Sequence, residues 1–295
     1  MTRRFSLPRG RRLRRALNGD PTQEYILYVP RSAPADARVL VSMHGISRNA
    51  HEHASVFTPM CEEYGVVMLV PIFTKDLHKD YQRLGRKGRG SRTDLLLQQF
   101  LVEVTFQTGV DASQVYLFGF SAGAQFAHRY AMAHPHRVAR AVVAAAGWYT
   151  FPDLTQRFPY GIRPVRTLEG VTFNPEEFLR IPMELLIGER DTTTHNVRST
   201  ERTVAQQGVN RLDRARRWVA AMGEAATSYF LDCQVTLTEV PGIGHSFTSF
   251  CNEGALVERV GRFLFGDSRP AFVPDHDGAL RDGALLANQN GGASK

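Results

Sequence analysis

The sequence has few cysteines and no long apolar run. Its three cysteines, Cys61, Cys233 and Cys251, are an odd number without metal-ligand spacing, which argues against a disulfide framework and a zinc site. No stretch approaches the roughly 18 apolar residues of a membrane-spanning helix, and the N-terminal segment lacks the apolar run of a secretory signal. We therefore expect a cytoplasmic protein with no transmembrane segment. The sequence leaves its oligomeric state open.

Acidic residues are absent from the first 15 positions, which contain seven arginines and account for the whole net charge of +7. We therefore divide the chain into a basic, mobile leader over 1–20, a catalytic domain over 21–266 and a polar, mobile tail over 267–295. Such a leader favours weak electrostatic contact with anionic surfaces, and no specific nucleic-acid partner is expected. An arginine-rich start is also typical of an organelle-targeting peptide.

Short apolar, β-branched runs alternate with helical patterns through most of the chain, whose 43% hydrophobic residues suffice for a packed core. Strands are predicted at 25–29, 39–43, 66–70, 115–118, 139–146, 183–187 and 235–240. Helices are predicted at 50–63, from 93 to before Gly109, and at 122–133, 210–225 and 255–265. This order predicts an α/β fold with a doubly wound, mostly parallel sheet, whose ligands bind beyond the carboxyl ends of the strands.

Two long segments interrupt the alternation. Residues 74–92 are polar and rich in arginine and glycine, which predicts a surface loop. Residues 148–182 contain many aromatic residues and prolines with little periodicity. This second segment is too long for an ordinary connection, so we expect a lid-like excursion over the carboxyl edge of the sheet.

The motif Gly119-Phe120-Ser121-Ala122-Gly123 fits the pattern G-x-S-x-G between a predicted strand and a predicted helix. This pattern is typical of the sharp turn that presents a nucleophilic serine above a sheet. Glycines flank the turn because the close packing of strand and helix leaves no room for side chains. We therefore predict that Ser121 is a nucleophile.

A serine nucleophile needs a base, and His245 follows the last predicted strand in a glycine-rich loop. Asp191 follows the strand at 183–187 and gives the order Ser, Asp, His; Glu189 is its nearest rival as the group that orients the imidazole. Solvent exposure is the simpler expectation for six other histidines, namely His51, His53, His78, His134, His136 and His276.

The oxyanion formed by serine attack needs backbone N–H donors. We predict the N–H of Ala122, directly after the nucleophile, and that of Ile46 in the turn His44-Gly45-Ile46. The spacing of His44 from neighbouring histidines matches no metal motif, which favours a hydrogen-bonded structural role over a second base or a ligand. Neither a metal nor another cofactor is expected.

Together these motifs resemble those of the α/β-hydrolase superfamily, and their residues are similar to those of polyhydroxybutyrate depolymerases and feruloyl esterases. The similar segments are Val110 to Tyr116, the elbow itself, Ala133-His134-Pro135, His44-Gly45 and Gly244-His245. The resemblance implies an α/β-hydrolase fold and a serine esterase with a small-molecule ester substrate. The sequence departs from secreted polymer-degrading members, which have a signal peptide. It also has Ala124 where members of this group frequently have the second glycine of a Gly-Gly pair.

Trp148 and Tyr149 come directly after a predicted strand and would flank the substrate pocket in such a fold. Two alternatives to ester cleavage remain open. The same Ser-His-Asp set serves hydrolysis or transfer of amides, peptides and thioesters. From a different class, a non-catalytic hydrolase-like protein would bind anionic surfaces through the arginine-rich leader.

Overall fold

The computed structural model describes residues 7–86 and 90–266. Within them, eight strands form one sheet in the order β1-β2-β4-β3-β5-β6-β7-β8. The pairs β1·β2 and β2·β4 are antiparallel and all the others are parallel. The strands are β1 Arg12–Leu17, β2 Asp20–Tyr28, β3 Val39–Met43, β4 Val67–Ile72, β5 Val115–Phe120, β6 Val138–Ala144, β7 Met183–Gly188 and β8 Val235–Val240.

Helices connect the parallel strands and pack on the sheet. They are α1 Ala50–Tyr64, α2 Thr93–Thr108, α3 Ala122–Ala133, α4 Pro175–Phe178, α5 Glu201–Gln207, α6 Arg211–Ser228, α7 Phe247–Asn252 and α8 Leu256–Phe265. Helices α1 and α8 pack together, α3 lies against β5 and β6, and α6 lies against β7 and β8. The predicted mostly parallel α/β sheet is thereby confirmed.

The central strands β3 and β4 are buried along almost their whole length because helices cover them. Strand β3 has no residue outside the core, and β4 only its last. Continuous apolar runs are what such strands require, which is why the sequence pattern located them to within a few residues. The sequence pattern missed the short helices α4, α5 and α7, which have fewer than eight residues each.

The prediction of a mobile leader through residue 20 is wrong for the residues of β1. Arg12–Leu17 forms the edge strand, and Arg14 donates two hydrogen bonds to Glu24 on β2, at 2.9 and 2.6 Å. Charged side chains suit an edge strand because they discourage pairing with other chains. The arginine-rich composition of this segment is therefore compatible with a strand, although it was interpreted as a mobile leader. Residues 1–6 and the predicted tail from 267 lie outside the described residues.

The segment 74–92 is not simply a surface loop. Its described part contains a 3₁₀ turn at Tyr81–Arg83, and Tyr81 and Leu84 are fully buried. The hydroxyl of Tyr81 donates to the carbonyl of His44 at 2.9 Å. The segment therefore supports the loop that follows β3.

The excursion over 148–182 packs against the body of the molecule. It contains a 3₁₀ turn at Arg166–Leu168 and helix α4, which contacts α3. Most of its aromatic residues join the main core, with Phe158 4% and Phe178 0% exposed. No helix in the described part of the chain is long and apolar enough to cross a membrane.

Candidate active site

The turn between β5 and α3 holds Ser121 in a strained backbone conformation. Its φ is 54° and its ψ is −111°, values that few residues other than glycine adopt. A Cβ on Gly119 would collide with the backbone of Gly123, and a Cβ on Gly123 with the carbonyl of Met43. The two glycines of the motif are therefore required by close backbone approach, and the turn projects the serine at the carboxyl edge of the sheet.

The structure brings Ser121, His245 and Asp191 together from three different loops. Ser121 Oγ lies 3.1 Å from His245 Nε2, and His245 Nδ1 lies 2.8 Å from Asp191 Oδ2. The Asp191 side chain has no exposed surface, whereas that of His245 is 24% exposed. The imidazole thus connects a buried carboxylate to the hydroxyl of a half-buried serine.

The rival carboxylate does not reach the imidazole by any described contact. Glu189 Oε2 accepts the backbone N–H of Gly242 at 3.0 Å and stabilises the loop that carries His245. The ring of Phe120, which occupies the first variable position of the motif, stacks on the His245 ring with 5.5 Å between centroids. Asp191 is therefore the acid that contacts His245, and Phe120 restrains the ring from one side.

Arg211 is a member of the site that the sequence analysis missed. Its Nη1 lies 3.1 Å from Asp191 Oδ1, the oxygen that His245 does not use, and its Nη2 donates to the carbonyl of Asn196 at 3.2 Å. The Arg211 side chain is 6% exposed, so this is a buried ion pair. No local motif marks Arg211, which begins α6 twenty residues after Asp191, and only the fold brings the two together.

The turn predicted to supply an oxyanion donor lies beside the nucleophile. A Cβ on Gly45 would be 3.6 Å from Ser121 Cβ. His44 is fully buried, donates from Nδ1 to the carbonyl of Gly45 and accepts the Phe73 N–H at Nε2. Burial lowers the pKa of His44 to about 4, so it stays neutral, as expected of a structural histidine. The oxyanion roles of the Ile46 and Ala122 N–H groups stay predictions.

Three of the histidines expected to be exposed are instead buried. His53 and His78 are 0% and 1% exposed, and burial lowers their pKa values to about 3 and about 4. His134 is 8% exposed and bonds to Asp94. Each of the three has a polar partner on at least one ring nitrogen, which no sequence pattern reveals. His276 lies outside the described residues, within which no cluster of three potential metal ligands occurs.

The two predicted pocket residues have different surroundings. Tyr149 is 1% exposed, and its ring packs against Trp218 and His128 at 5.1 and 5.3 Å between centroids. The structure thus places Tyr149 in the core, contrary to the prediction that it flanks the pocket, because α6 and α3 enclose it. Trp148 is 5% exposed and lies under two guanidinium groups.

Comparison with known proteins agrees with the fold. Residues 23–151 match the family model described as Esterase PHB depolymerase. The structure superposes on poly(aspartic acid) hydrolase-1 from Sphingomonas sp. KT-1 with a TM-score of 0.72 and 25% identity, covering 88% of this chain and 99% of that one. The chain has the α/β-hydrolase fold.

Two further relatives are named a depolymerase and an esterase. The poly(3-hydroxybutyrate) depolymerase from Bordetella parapertussis is 28% identical, with a TM-score of 0.68 over 85% of this chain and 94% of that one. Feruloyl esterase B of Talaromyces funiculosus is 27% identical over 122 residues, which are 40% of this chain. The chain matches only 34% of the length of that esterase.

Proposed function

We propose that this protein hydrolyses carboxylic esters through an acyl-enzyme on Ser121. The observation that carries the proposal is the continuous hydrogen-bonded path from Ser121 through His245 to Asp191, with distances of 3.1 and 2.8 Å. The esterase family model and the esterase names of the relatives support it.

In the first half of the reaction, Ser121 Oγ attacks the ester carbonyl carbon while His245 Nε2 accepts the hydroxyl proton. The N–H groups of Ile46 and Ala122 stabilise the negative charge on the carbonyl oxygen. His245 then donates its proton to the leaving alcohol. A water activated by the same imidazole attacks the acyl-enzyme, and the acid product leaves with Ser121 restored.

Asp191 acts through His245 in this scheme. Its carboxylate accepts a hydrogen bond from the Nδ1–H group, which keeps the proton on Nδ1 and leaves Nε2 free to accept a proton from the serine. It also stabilises the imidazolium that forms in each half-reaction. No metal or cofactor enters the scheme, and this stays a prediction, as do the cytoplasmic location and the weak contact of the basic leader with anionic surfaces.

Labelling with a fluorophosphonate probe tests the proposal. We expect the wild-type protein to label and to hydrolyse p-nitrophenyl esters, and Ser121→Ala to do neither. Ser113→Ala is the control, because Ser113 is an exposed serine whose hydroxyl donates to Asp111. Labelling of Ser121→Ala at another serine would show that the nucleophile is misassigned.

Amide and thioester cleavage is the competing activity, since one solved relative is named a poly(aspartic acid) hydrolase. The esterase family and neighbours favour esters. Initial rates on matched p-nitrophenyl esters, p-nitroanilides and acyl-CoA thioesters separate the two. A wild-type protein that neither labels nor turns over any of these substrates would support the non-catalytic alternative.

A further inference from the structure

Three guanidinium groups lie against two aromatic rings close to the proposed active site. Arg129 and Arg198 have their Cζ atoms 4.4 and 5.3 Å from the centroid of the Trp148 ring. Arg202 Cζ lies 4.0 Å from the centroid of Tyr160, whose ring is 5.2 Å from that of Trp148. We call these five residues the arginine–aromatic cluster.

The positive charge of this cluster is not balanced by nearby carboxylates. None of its three arginines forms an ion pair within residues 7–86 and 90–266. Asp80, the carboxylate whose charge acts on Arg129, already pairs with Arg83 and Arg86. These two pairs leave further positive charge beside the cluster, and such an arrangement attracts anions.

Arg129 adds an unsatisfied donor to this charge. The residue is 0% exposed, and its Nη2 has no hydrogen-bond partner in the described part of the chain, although Nε donates to Thr150 and Nη1 to the carbonyl of Gln82. An unpaired buried donor on a charged group is costly, so its retention needs a reason. An anion held near the cluster would offset that cost.

The hydroxyl of Tyr160 supports the same interpretation. Burial alone would raise its pKa, but hydrogen bonds from Thr200, Thr203 and Arg198, together with the charge of Arg198, lower it to about 8. A phenol whose anion is stabilised to this extent reports an environment that favours negative charge.

The cluster is joined to the catalytic edge by short, direct contacts. Arg214 donates to the carbonyls of Gly147 and Arg198, each at 2.7 Å, and so fixes Arg198 beside the turn that precedes Trp148. That turn follows β6, whose last residue, Ala144, accepts the Ser121 N–H at 2.8 Å.

The rise of helix α3 gives the approximate distance between the nucleophile and the cluster. Arg129 lies eight residues beyond Ser121 along α3, which corresponds to about 12 Å at 1.5 Å per residue. Arg198 and Arg202 are exposed and can reach a bound molecule from solvent. A group bound by the cluster would therefore belong to a part of the substrate remote from the reacting ester.

We infer that the arginine–aromatic cluster binds a carboxylate carried by the substrate, about 12 Å from the carbon that Ser121 attacks. Guanidinium groups bind carboxylates through two parallel hydrogen bonds, and the aromatic rings hold the guanidinium planes in place. This inference rests on the proposed esterase function. It specifies the substrate class as an acidic ester and not a wholly apolar one.

The experiment compares two substrates that differ in one charge. These are the mono-p-nitrophenyl ester of a ten-carbon dicarboxylic acid and the same compound with its free acid methylated. We expect the ratio of kcat/KM for the acidic over the neutral ester to fall about tenfold in Arg198→Gln, mostly through KM, since one charge-assisted contact is lost. Arg202→Gln should lower the ratio in the same direction.

Arg262→Gln is the matched control, because Arg262 lies on α8 and pairs with Glu258 at the exposed surface. It removes the same charge and should leave the ratio and the activity unchanged. A wild-type protein with no preference for the acidic ester, or a ratio equal in Arg198→Gln and Arg262→Gln, would overturn the inference. So would inhibition by inorganic phosphate that exceeds inhibition by the dicarboxylate and is lost in Arg198→Gln.

A separate measurement distinguishes failure of this inference from failure of the proposed function. Binding of the ten-carbon dicarboxylate to the Ser121→Ala protein is measured by calorimetry, with and without Arg198→Gln. If the wild type hydrolyses neither ester, the esterase proposal fails, and weaker binding in Arg198→Gln would still support the subsite. Equal binding by the two proteins would refute the subsite whatever the activity.

Discussion

Arg211 forms an ion pair with the buried Asp191 carboxylate, and no other arginine contacts that carboxylate in the described part of the chain. Replacing Arg211 by glutamine removes this pair. Neither side chain has more than 6% of its surface exposed, so water cannot replace the lost partner. Breaking a buried ion pair from one side typically costs 3–5 kcal/mol, because a charge is left without compensation. We expect Arg211→Gln to lower the free energy of unfolding by about 3 kcal/mol at pH 7.

Helix α6 offers a matched control for this change. Arg216 on the same helix forms two hydrogen bonds with Glu239, at 2.6 and 2.7 Å, but its side chain is 53% exposed. Although these bonds are shorter than the 3.1 Å contact of Arg211, exposed pairs contribute only about 0.2–1 kcal/mol. Arg216→Gln should therefore cost about 0.5 kcal/mol, and burial will decide the difference between the two variants.

The assay is equilibrium unfolding in urea, followed by tryptophan fluorescence. In the double variant Arg211→Gln/Asp191→Asn no buried charge remains, so we expect it to recover about 2 kcal/mol relative to Arg211→Gln alone. Equal costs for Arg211→Gln and Arg216→Gln would refute the reasoning. So would a double variant that is less stable than Arg211→Gln by the full cost of Asp191→Asn.

Asp191→Asn should lower kcat about 10⁴-fold, because the amide favours the wrong imidazole tautomer. Glu189→Gln keeps an oxygen for the Gly242 N–H, so its kcat should stay within about threefold of wild type. The reverse order in steady-state kinetics would show that Asp191 is not the acid that orients His245. The pKa values of buried His44 and His53 are lowered to about 4 and about 3. Below pH 6.5 the unfolded chain therefore binds protons that the native state does not, and the free energy of unfolding decreases as the pH is lowered. At pH 5 each should cost about 2 kcal/mol, and a urea midpoint unchanged between pH 7 and pH 5 would contradict this. Deleting residues 1–15 removes most of β1 and uncovers β2, so we expect a lower urea midpoint and aggregation in light scattering; an unchanged midpoint would show that the strand contributes nothing.

Much of the fold was predictable because its signals are local. Strand Val39–Met43 was located to the residue, since a buried strand must be a short apolar run with polar or turn residues at its ends. Val235–Val240 was also located to the residue, because its β-branched and apolar residues alternate with polar ones, as in a partly exposed strand. Edge strand β1 escaped because half of its side chains face solvent, where arginine is acceptable. Its pairing is set by β2, not by its own composition.

The sequence by itself determined the nucleophile elbow and the histidine loop of this protein. The close approach of strand and helix at Ser121 allows only glycine at two flanking positions. Both positions lie within the five consecutive residues of the motif, so the signal is local. Tertiary structure alone decided that Asp191 and not Glu189 contacts His245, that Arg211 neutralises that acid, and that arginines from two segments converge on Trp148. These contacts join residues far apart in the chain, and their energies depend on burial and distance, which arise only when the segments pack together.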